Sequence, residues 1–179
     1  MTDYRARKRA ITSQDPLLVV RFSNQNVSAQ FVRASLKGDL VIPSEHSKEL
    51  SKLGWRGSLK STPAYYLLGM LAGKKAKEKG LQKAVLYNGL TPFIKGARVS
   101  AFLKGLVESG IEIPVGEEAF PSSDRLTGKE ISSFAAKLSK EDEGAYKRVF
   151  SGLLKSGFRP EEYPAEFEKT RASIMGDSR

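Results

Sequence analysis

Residues 62–88 constrain the fold more than any other stretch, because they predict a long helix, a tight turn and a buried strand in succession. Thr62 is a favourable N-cap, and Pro63 suits the first helical position, where its missing N–H costs no hydrogen bond. Gly80 ends the helix, and residues 84–87 form the short strand. Apolar or small residues follow helical spacing on one face: Ala64, Leu67, Leu68, Leu71, Ala72 and Ala76. This is half of a βαβ unit, so we expect the rest of the chain to pack around it.

The helix also contains a segment, residues 69–75, that partly resembles a phosphate-binding loop. Such a loop has four residues between its glycines, Ser or Thr after the Lys, and a position between a strand and a helix. Here only three residues separate Gly69 from Gly73, a second Lys follows Lys74, and the segment lies mid-helix. We interpret the glycines as small residues that let the helix lie close to a sheet.

The segments before and after this helix predict an α/β core. Residues 17–23, 27–34 and 40–42 indicate three strands joined by short polar turns, which form an antiparallel meander. The strand at 84–87 is added in parallel, and further helices are predicted at 47–53 and 97–109, followed by an extended segment. Such a sheet buries one face under the long helix and leaves the other for a ligand.

The distribution of charge points to a polyanionic partner. The formal net charge is +10, and the excess is confined to residues 1–110, which carry +12, against −2 for residues 111–179. The first ten residues hold Tyr4, Arg5, Arg7, Lys8 and Arg9 with almost no apolar side chain, so we expect them to be disordered alone. They are either an RNA-binding arm that folds on contact or a solvated terminus.

Several classes of function are excluded by composition. The chain has no Cys and a single His, His46, which leaves no basis for thiol chemistry, a zinc site or a Ser-His-Asp triad. The predicted strands are nearly free of acids, so we expect no metal site, no cofactor and no enzyme. No apolar run has the length of a membrane span and no signal sequence is evident, so we expect a soluble, cytoplasmic protein.

Two positions outside the arm allow alternative interpretations. Trp55 lies in a Gly/Ser loop with Arg56 and Lys60, where it either stacks on a base or, as is more common, anchors the loop to the core. Arg98 lies in the first turn of the 97–109 helix, where it opposes the helix dipole, so we expect it to serve a partner.

The character of the chain changes at residue 121. The segment 121–124 has the composition of a linker, so we divide the chain into a basic N-terminal arm (1–14), an α/β core (15–120) and a helical C-terminal extension (121–179) with few contacts to the core. A capping box at residues 127–130 predicts a helix to Leu138, a second helix is expected at 145–154, and the residues after Pro164 are expected to fray.

The order of these segments resembles the archaeal and eukaryotic branch of the large-subunit ribosomal protein family called L-eighteen. The resemblance runs from about Tyr4 to Arg125 and rests on several short blocks in the same order: residues 20–24, 29–30, 38–39, 46–50, 52–57, 62–64, 71–76, 95–99 and 111–114. It departs from the family at Gln25 and Asn26, where a basic residue and His are usual, and at residues 91–93.

The resemblance implies a fold similar to ribonuclease-H-like domains and a structural role, in which the protein binds 5S rRNA and helps attach it to 23S rRNA and neighbouring proteins in the central protuberance. It implies that these residues face the RNA: Tyr4, Arg5, Arg7, Lys8, Arg9, Arg21, Ser23, Asn24, Asn26, Gln30, Trp55, Arg56, Lys60, Lys95 and Arg98. Two alternatives remain at this stage, a ribonuclease-H-like nuclease and a basic protein that binds RNA without a fixed site.

Overall fold

The strands form one mixed sheet in the computed structural model, which describes residues 4–35 and 38–176. The sheet of this described part contains β1 (Leu17–Phe22), β2 (Val27–Arg33), β3 (Leu40–His46) and β4 (Val85–Tyr87), in the order β3-β2-β1-β4. β2 pairs antiparallel with both β1 and β3, and β4 is added parallel to β1. The predicted α/β class, a meander plus one parallel strand, is confirmed.

The helices follow the prediction closely in the first two thirds of the chain. They are α1 (Tyr4–Thr12), α2 (Lys48–Lys52), α3 (Thr62–Glu78) and α4 (Arg98–Glu108). The C-terminal region contains α5 (Ser123–Thr127), α6 (Lys129–Glu141), α7 (Glu143–Val149), α8 (Ser151–Lys155) and α9 (Tyr163–Gly176). Single 3₁₀ turns precede α5 and α9 at Glu117–Ala119 and Pro160–Glu162. No helix within the described residues is long and apolar enough to cross a membrane.

Helix α3 is the centre of the core, since it is buried along most of its length between the sheet, α4 and α9. Its glycines serve the contact with α4 and not, as expected, the contact with the sheet. A methyl group at Gly69 would overlap the carbonyl oxygen of Phe102, and one at Gly105 would overlap that of Tyr66. The two helices therefore cross at backbone contact distance. The expected N-cap is also shifted by one residue, because Ser61 holds the extended cap position and Thr62 is already helical.

The N-terminal residues predicted to be disordered are helical from Tyr4 onward. Helix α1 packs against β4 at one edge of the sheet. At the other edge, the guanidinium of Arg7 donates two hydrogen bonds to Asp39, at 2.7 and 2.6 Å, just before β3 begins. Helix α1 thus crosses one face of the sheet at the level of the aligned residues Val85, Leu17, Val32 and Val41. Leu17 and Val32 are buried on this side, outside the main core.

The expectation of few contacts between the C-terminal region and the core is wrong. Five buried side chains of this region belong to the same apolar core as α3: Leu126, Phe158, Tyr163, Phe167 and Ile174. The predicted capping box is also wrong, because Thr127 ends α5 and its hydroxyl donates to the carbonyl of Asp124, whereas Gly128, with a φ of 80°, precedes α6. The expected fraying after Pro164 is contradicted by α9, which continues to Gly176, the last described residue.

Candidate RNA interface

The face of the sheet turned away from α3 is covered by α1 only at one end. Beyond α1, cross-strand alignment places two rows of side chains side by side on this surface, which we call the open face: Tyr87, Val19, Gln30 and Ser44 in one row, and Arg21, Ser28 and His46 in the next. All seven are exposed or half-buried. They offer hydroxyl, amide, imidazole and guanidinium groups and no carboxylate. The expected ligand-facing side of the sheet is therefore polar and carries positive charge.

Helix α1 borders the open face as a basic wall. Tyr4 is 77% exposed, and Arg5, Lys8 and Arg9 are exposed as well. Arg7 differs from these cations because its paired hydrogen bonds to Asp39 attach the helix to the sheet. The same hydrogen bonds raise the pKa of the Arg7 guanidinium. Arg7 therefore positions the wall, and the other cations project from it.

The turn between β1 and β2 lies at the far end of the open face. The backbone N–H of Ser23 donates to the carbonyl of Asn26 at 2.8 Å, and the Asn26 N–H donates to Ser23 Oγ at 3.1 Å. The side-chain oxygen of Asn26 accepts a hydrogen bond from Ser47, whose hydroxyl also accepts from the Val27 N–H. Ser23 and Asn26 thus fix the shape of the turn, while Asn24 is exposed on it.

The loop at residues 55–61 does not present Trp55 to a ligand. Trp55 is only 2% exposed and packs edge-on against the Tyr163 ring, with 5.7 Å between the ring centres. It is therefore the core anchor of the loop, and its assignment to RNA stacking is wrong. Arg56 also turns toward the C-terminal region, with its Nε 3.3 Å from Glu166 and its guanidinium over the Phe158 ring. Lys60, by contrast, is exposed.

Arg98 lies next to Lys60, although the two are 38 residues apart. An Nη of Arg98 donates to the Lys60 carbonyl at 3.5 Å, and the guanidinium lies 5.6 Å from the centre of the Tyr65 ring. The contact over the ring leaves Arg98 exposed at the start of α4. Lys95, in the preceding turn, forms an exposed ion pair with Glu118 at 3.0 Å. Lys60 and Arg98 form a second cationic site, which we call the loop site.

Sequence reasoning missed the residues that lie between the open face and the loop site. Phe22 is 41% exposed and separates two grooves. One groove is lined by Arg21, Tyr87 and Asn88, and within the described part of the chain the Tyr87 hydroxyl and Asn88 Oδ1 are buried without a hydrogen-bond partner. The other is lined by Tyr65, Pro92, Ile94 and Arg98. The available signal was the end of the parallel strand β4, where ligand-binding side chains often lie in α/β sheets.

Edge strand β3 is attached to α3 by a buried ion cluster. Lys75 Nζ lies 2.7 Å from a carboxylate oxygen of Glu45 and 2.7 Å from one of Glu49. Burial raises the pKa of Glu45 to about 7, while hydrogen bonds from Lys75 contribute to the lowered pKa of Glu49. Glu45 alternates with Ser44 and His46, which point to the open face, so the cluster fixes the strand that presents them.

Comparison with known proteins identifies the family. Residues 1–83 match the family model described as ribosomal large subunit proteins 60S L5, and 50S L18. The large ribosomal subunit protein uL18 of Thermofilum pendens (strain DSM 2475 / Hrk 5) is 41% identical over 173 residues, which cover 97% of this chain and 88% of that protein. The chain belongs to the uL18 family of ribosomal proteins.

Membership of the uL18 family confirms the main functional prediction from the sequence. The chain is a structural constituent of the large ribosomal subunit and not an enzyme, and it acts in the cytoplasmic ribosome. Binding of 5S rRNA is the role of the uL18 family. The nuclease alternative is thereby removed. Among the described residues, no group of three or more His, Asp or Glu side chains is arranged to hold a metal ion.

Proposed function

We propose that this uL18 protein binds 5S rRNA on the open face, with the basic wall of α1 on one side and the β1–β2 turn and the loop site on the other. The observation that carries the proposal is the pair of polar rows on the open face. There, Arg21 and the hydrogen-bonding side chains Gln30, Ser44 and Ser28 lie on one surface with no carboxylate among them. Proteins hold structured RNA through phosphates and 2′-hydroxyls with such groups.

The proposed contacts divide into two chemical kinds. The cations Arg5, Lys8, Arg9, Arg21, Lys60 and Arg98 neutralise phosphates, and each contact contributes to the salt dependence of binding. Gln30, Asn24 and Ser44 form hydrogen bonds to sugars or bases, which are insensitive to salt. Tyr4 is exposed enough to stack on an unpaired base. Trp55 and Arg56 are not part of this surface, because both turn toward the C-terminal region.

The C-terminal region has a different proposed role. We assign 23S rRNA and neighbouring ribosomal proteins of the central protuberance as its partners, because residues 111–179 carry a net charge of −2 and expose Phe134 and Val149 by 51% and 56%. In this proposal, residues 15–120 carry the 5S rRNA surface, α1 extends it, and the helices from α5 to α9 support the core and face the rest of the subunit.

The proposal is tested by titrating the full-length protein with a 5S rRNA transcript at several salt concentrations. Arg21→Ala should lower the slope of log affinity against log salt by about 0.7–0.9, the effect of one lost phosphate contact. Gln30→Ala should weaken binding by about fivefold, roughly one hydrogen bond, with no change in slope.

Lys137→Ala is the matched control, because Lys137 is a cation on α6 with a side chain that is 70% exposed. Its removal should leave both affinity and slope unchanged. Equal effects of Arg21→Ala and Lys137→Ala would mean that the net positive charge attracts RNA without a fixed site, and the proposed interface would be abandoned.

A further inference from the structure

Ser58 is the point at which the loop at residues 55–61 is held together. Its carbonyl accepts hydrogen bonds from the Trp55 indole N–H at 3.4 Å and from the Ser61 hydroxyl at 2.7 Å. Its hydroxyl lies 3.4 Å from the Lys60 N–H. The loop therefore folds around one residue, and the direction in which Lys60 leaves the loop depends on the position of Ser58.

The backbone N–H of Ser58 is satisfied by the C-terminal region. It donates a hydrogen bond to the hydroxyl of Tyr163 at 2.9 Å, across 105 residues of sequence. Tyr163 is 1% exposed and is enclosed by aromatic contacts with Trp55 and Phe158. A methyl group at Gly57 would lie 2.7 Å from the Trp55 ring and 3.0 Å from the Tyr163 ring, so the loop and Tyr163 are in close contact.

Arg56 ties the same loop to α9 from the outside. Its Nε is 3.3 Å from Glu166, whose side chain is 5% exposed, and Nη2 lies 3.9 Å from Glu162. The exposed guanidinium is thus directed to the C-terminal region by two carboxylates and by the Phe158 ring. A cation that sequence alone assigns to RNA is used to attach the loop.

We propose that Tyr163 is a positioning residue for RNA binding, which holds the loop so that Lys60 and Arg98 face the RNA together. Tyr163 fixes Ser58, Ser58 fixes the turn that carries Lys60, and the Lys60 carbonyl accepts the hydrogen bond from Arg98. The inference rests on the proposed function, since it takes 5S rRNA as the ligand. It assigns part of the RNA-binding role to the C-terminal region, which carries no net positive charge.

The first test measures the loop without RNA. Tyr163→Phe keeps the buried ring and removes only the hydroxyl that accepts from Ser58. Amide hydrogen exchange at Ser58, followed by NMR, should become about tenfold faster, because a backbone donor loses its partner. Tyr146→Phe is the matched control, since the Tyr146 hydroxyl contacts Glu161 at 3.1 Å within the C-terminal region and does not touch the loop.

The second test measures 5S rRNA binding by the full-length variants at several salt concentrations. Tyr163→Phe should weaken binding by about three- to tenfold and lower the salt slope by about 0.7–0.9, because a phosphate contact of Lys60 or Arg98 is lost. A purely structural defect would reduce the folded fraction and leave the slope unchanged. In a Lys60→Ala background the effect of Tyr163→Phe on the slope should largely disappear, whereas Tyr146→Phe should change nothing in either background.

The outcomes separate this inference from the proposed function. Wild-type protein with no salt-dependent affinity for 5S rRNA would overturn both. If the wild-type protein binds as proposed, an unchanged slope in Tyr163→Phe, or unchanged exchange at Ser58, overturns the positioning role alone. Faster exchange together with a lower slope that depends on Lys60 supports it.

Discussion

Truncation after residue 120 should unfold the protein, although the linker-like sequence at 121–124 suggests a natural boundary. The cut removes five side chains that are at most 8% exposed in the common core: Leu126, Phe158, Tyr163, Phe167 and Ile174. Burial of a large apolar side chain contributes about 1.5–3 kcal/mol, so the five together contribute about 7–15 kcal/mol as an upper estimate. A domain of this size has a free energy of unfolding of about 5–15 kcal/mol.

The loss is thus as large as the whole stability, and the cut also exposes Trp55 and Tyr66, which pack on Tyr163 and Phe167. The assay is urea unfolding followed by circular dichroism and by the fluorescence of Trp55, the only Trp. We expect the 1–120 fragment to show no cooperative transition and a red-shifted, solvent-exposed emission. A fragment with a cooperative transition and buried Trp55 emission would refute the argument that one core spans both regions.

Two point variants of the full chain calibrate this estimate. Phe167→Ala removes a 2% exposed ring that packs 5.5 Å from Tyr66, and we expect it to lower the free energy of unfolding by about 3–5 kcal/mol. Val149→Ala, at a position 56% exposed, should change it by less than about 0.5 kcal/mol. Similar effects of the two variants would contradict the burial on which the truncation argument depends.

Three further predictions follow from the fold. Lys8→Ala should lower the salt slope of 5S rRNA binding by about 0.7–0.9, whereas Arg7→Ala should mainly loosen α1, seen as faster amide exchange in residues 4–12; equal slopes in the two variants would argue against the attachment role of Arg7. Because burial raises the pKa of Glu45 to about 7 from an unfolded value near 4.5, the folded state binds the extra proton between these values. Its contribution to the free energy of unfolding is present below pH 4.5 and is lost as pH rises through 7. Glu45→Gln should remove this fall, so urea unfolding at about pH 5 and pH 8 should differ less in the variant, and an equal pH dependence would contradict the assignment. Gly69→Ala should destabilise by about 3 kcal/mol or more because the methyl group overlaps the Phe102 carbonyl, and a thermal midpoint within a degree or two of wild type would disprove the close crossing of α3 and α4.

The sequence predicted those elements whose signal is local. The apolar stripe of α3, the alternation in β1 and β2, and the glycines that end α3 and α4 are decided within a few residues, and the structure has them within one or two positions. Strand β3 was cut short at Pro43 because Pro is rare in strands. It continues to His46 because β3 is an edge strand, where a missing N–H need not interrupt a ladder.

The elements that were missed depend on partners distant in sequence. Helix α1 has few apolar residues and is attached by Arg7 to Asp39, 32 residues away, which no local pattern indicates. Helix α9 buries Glu166 and Thr170 among its apolar residues, because Arg56 and its own backbone satisfy them, and these polar residues obscure the stripe. Trp55 and Arg56 were assigned to RNA for the same reason, since the residues they contact lie more than 100 positions later.

The position of β3 at the edge of the sheet also bears on how the protein survives before assembly. An unpaired edge can recruit a strand from another chain, and a basic protein that awaits its RNA is exposed to this self-association. Pro43 withholds one N–H from such pairing, and Glu45, directed inward to Lys75, places a charge that a register-shifted partner strand would leave without its counterion. The opposite edge, β4, has only three residues and offers little template. The sheet therefore discourages aggregation at both edges while its open face stays available to RNA.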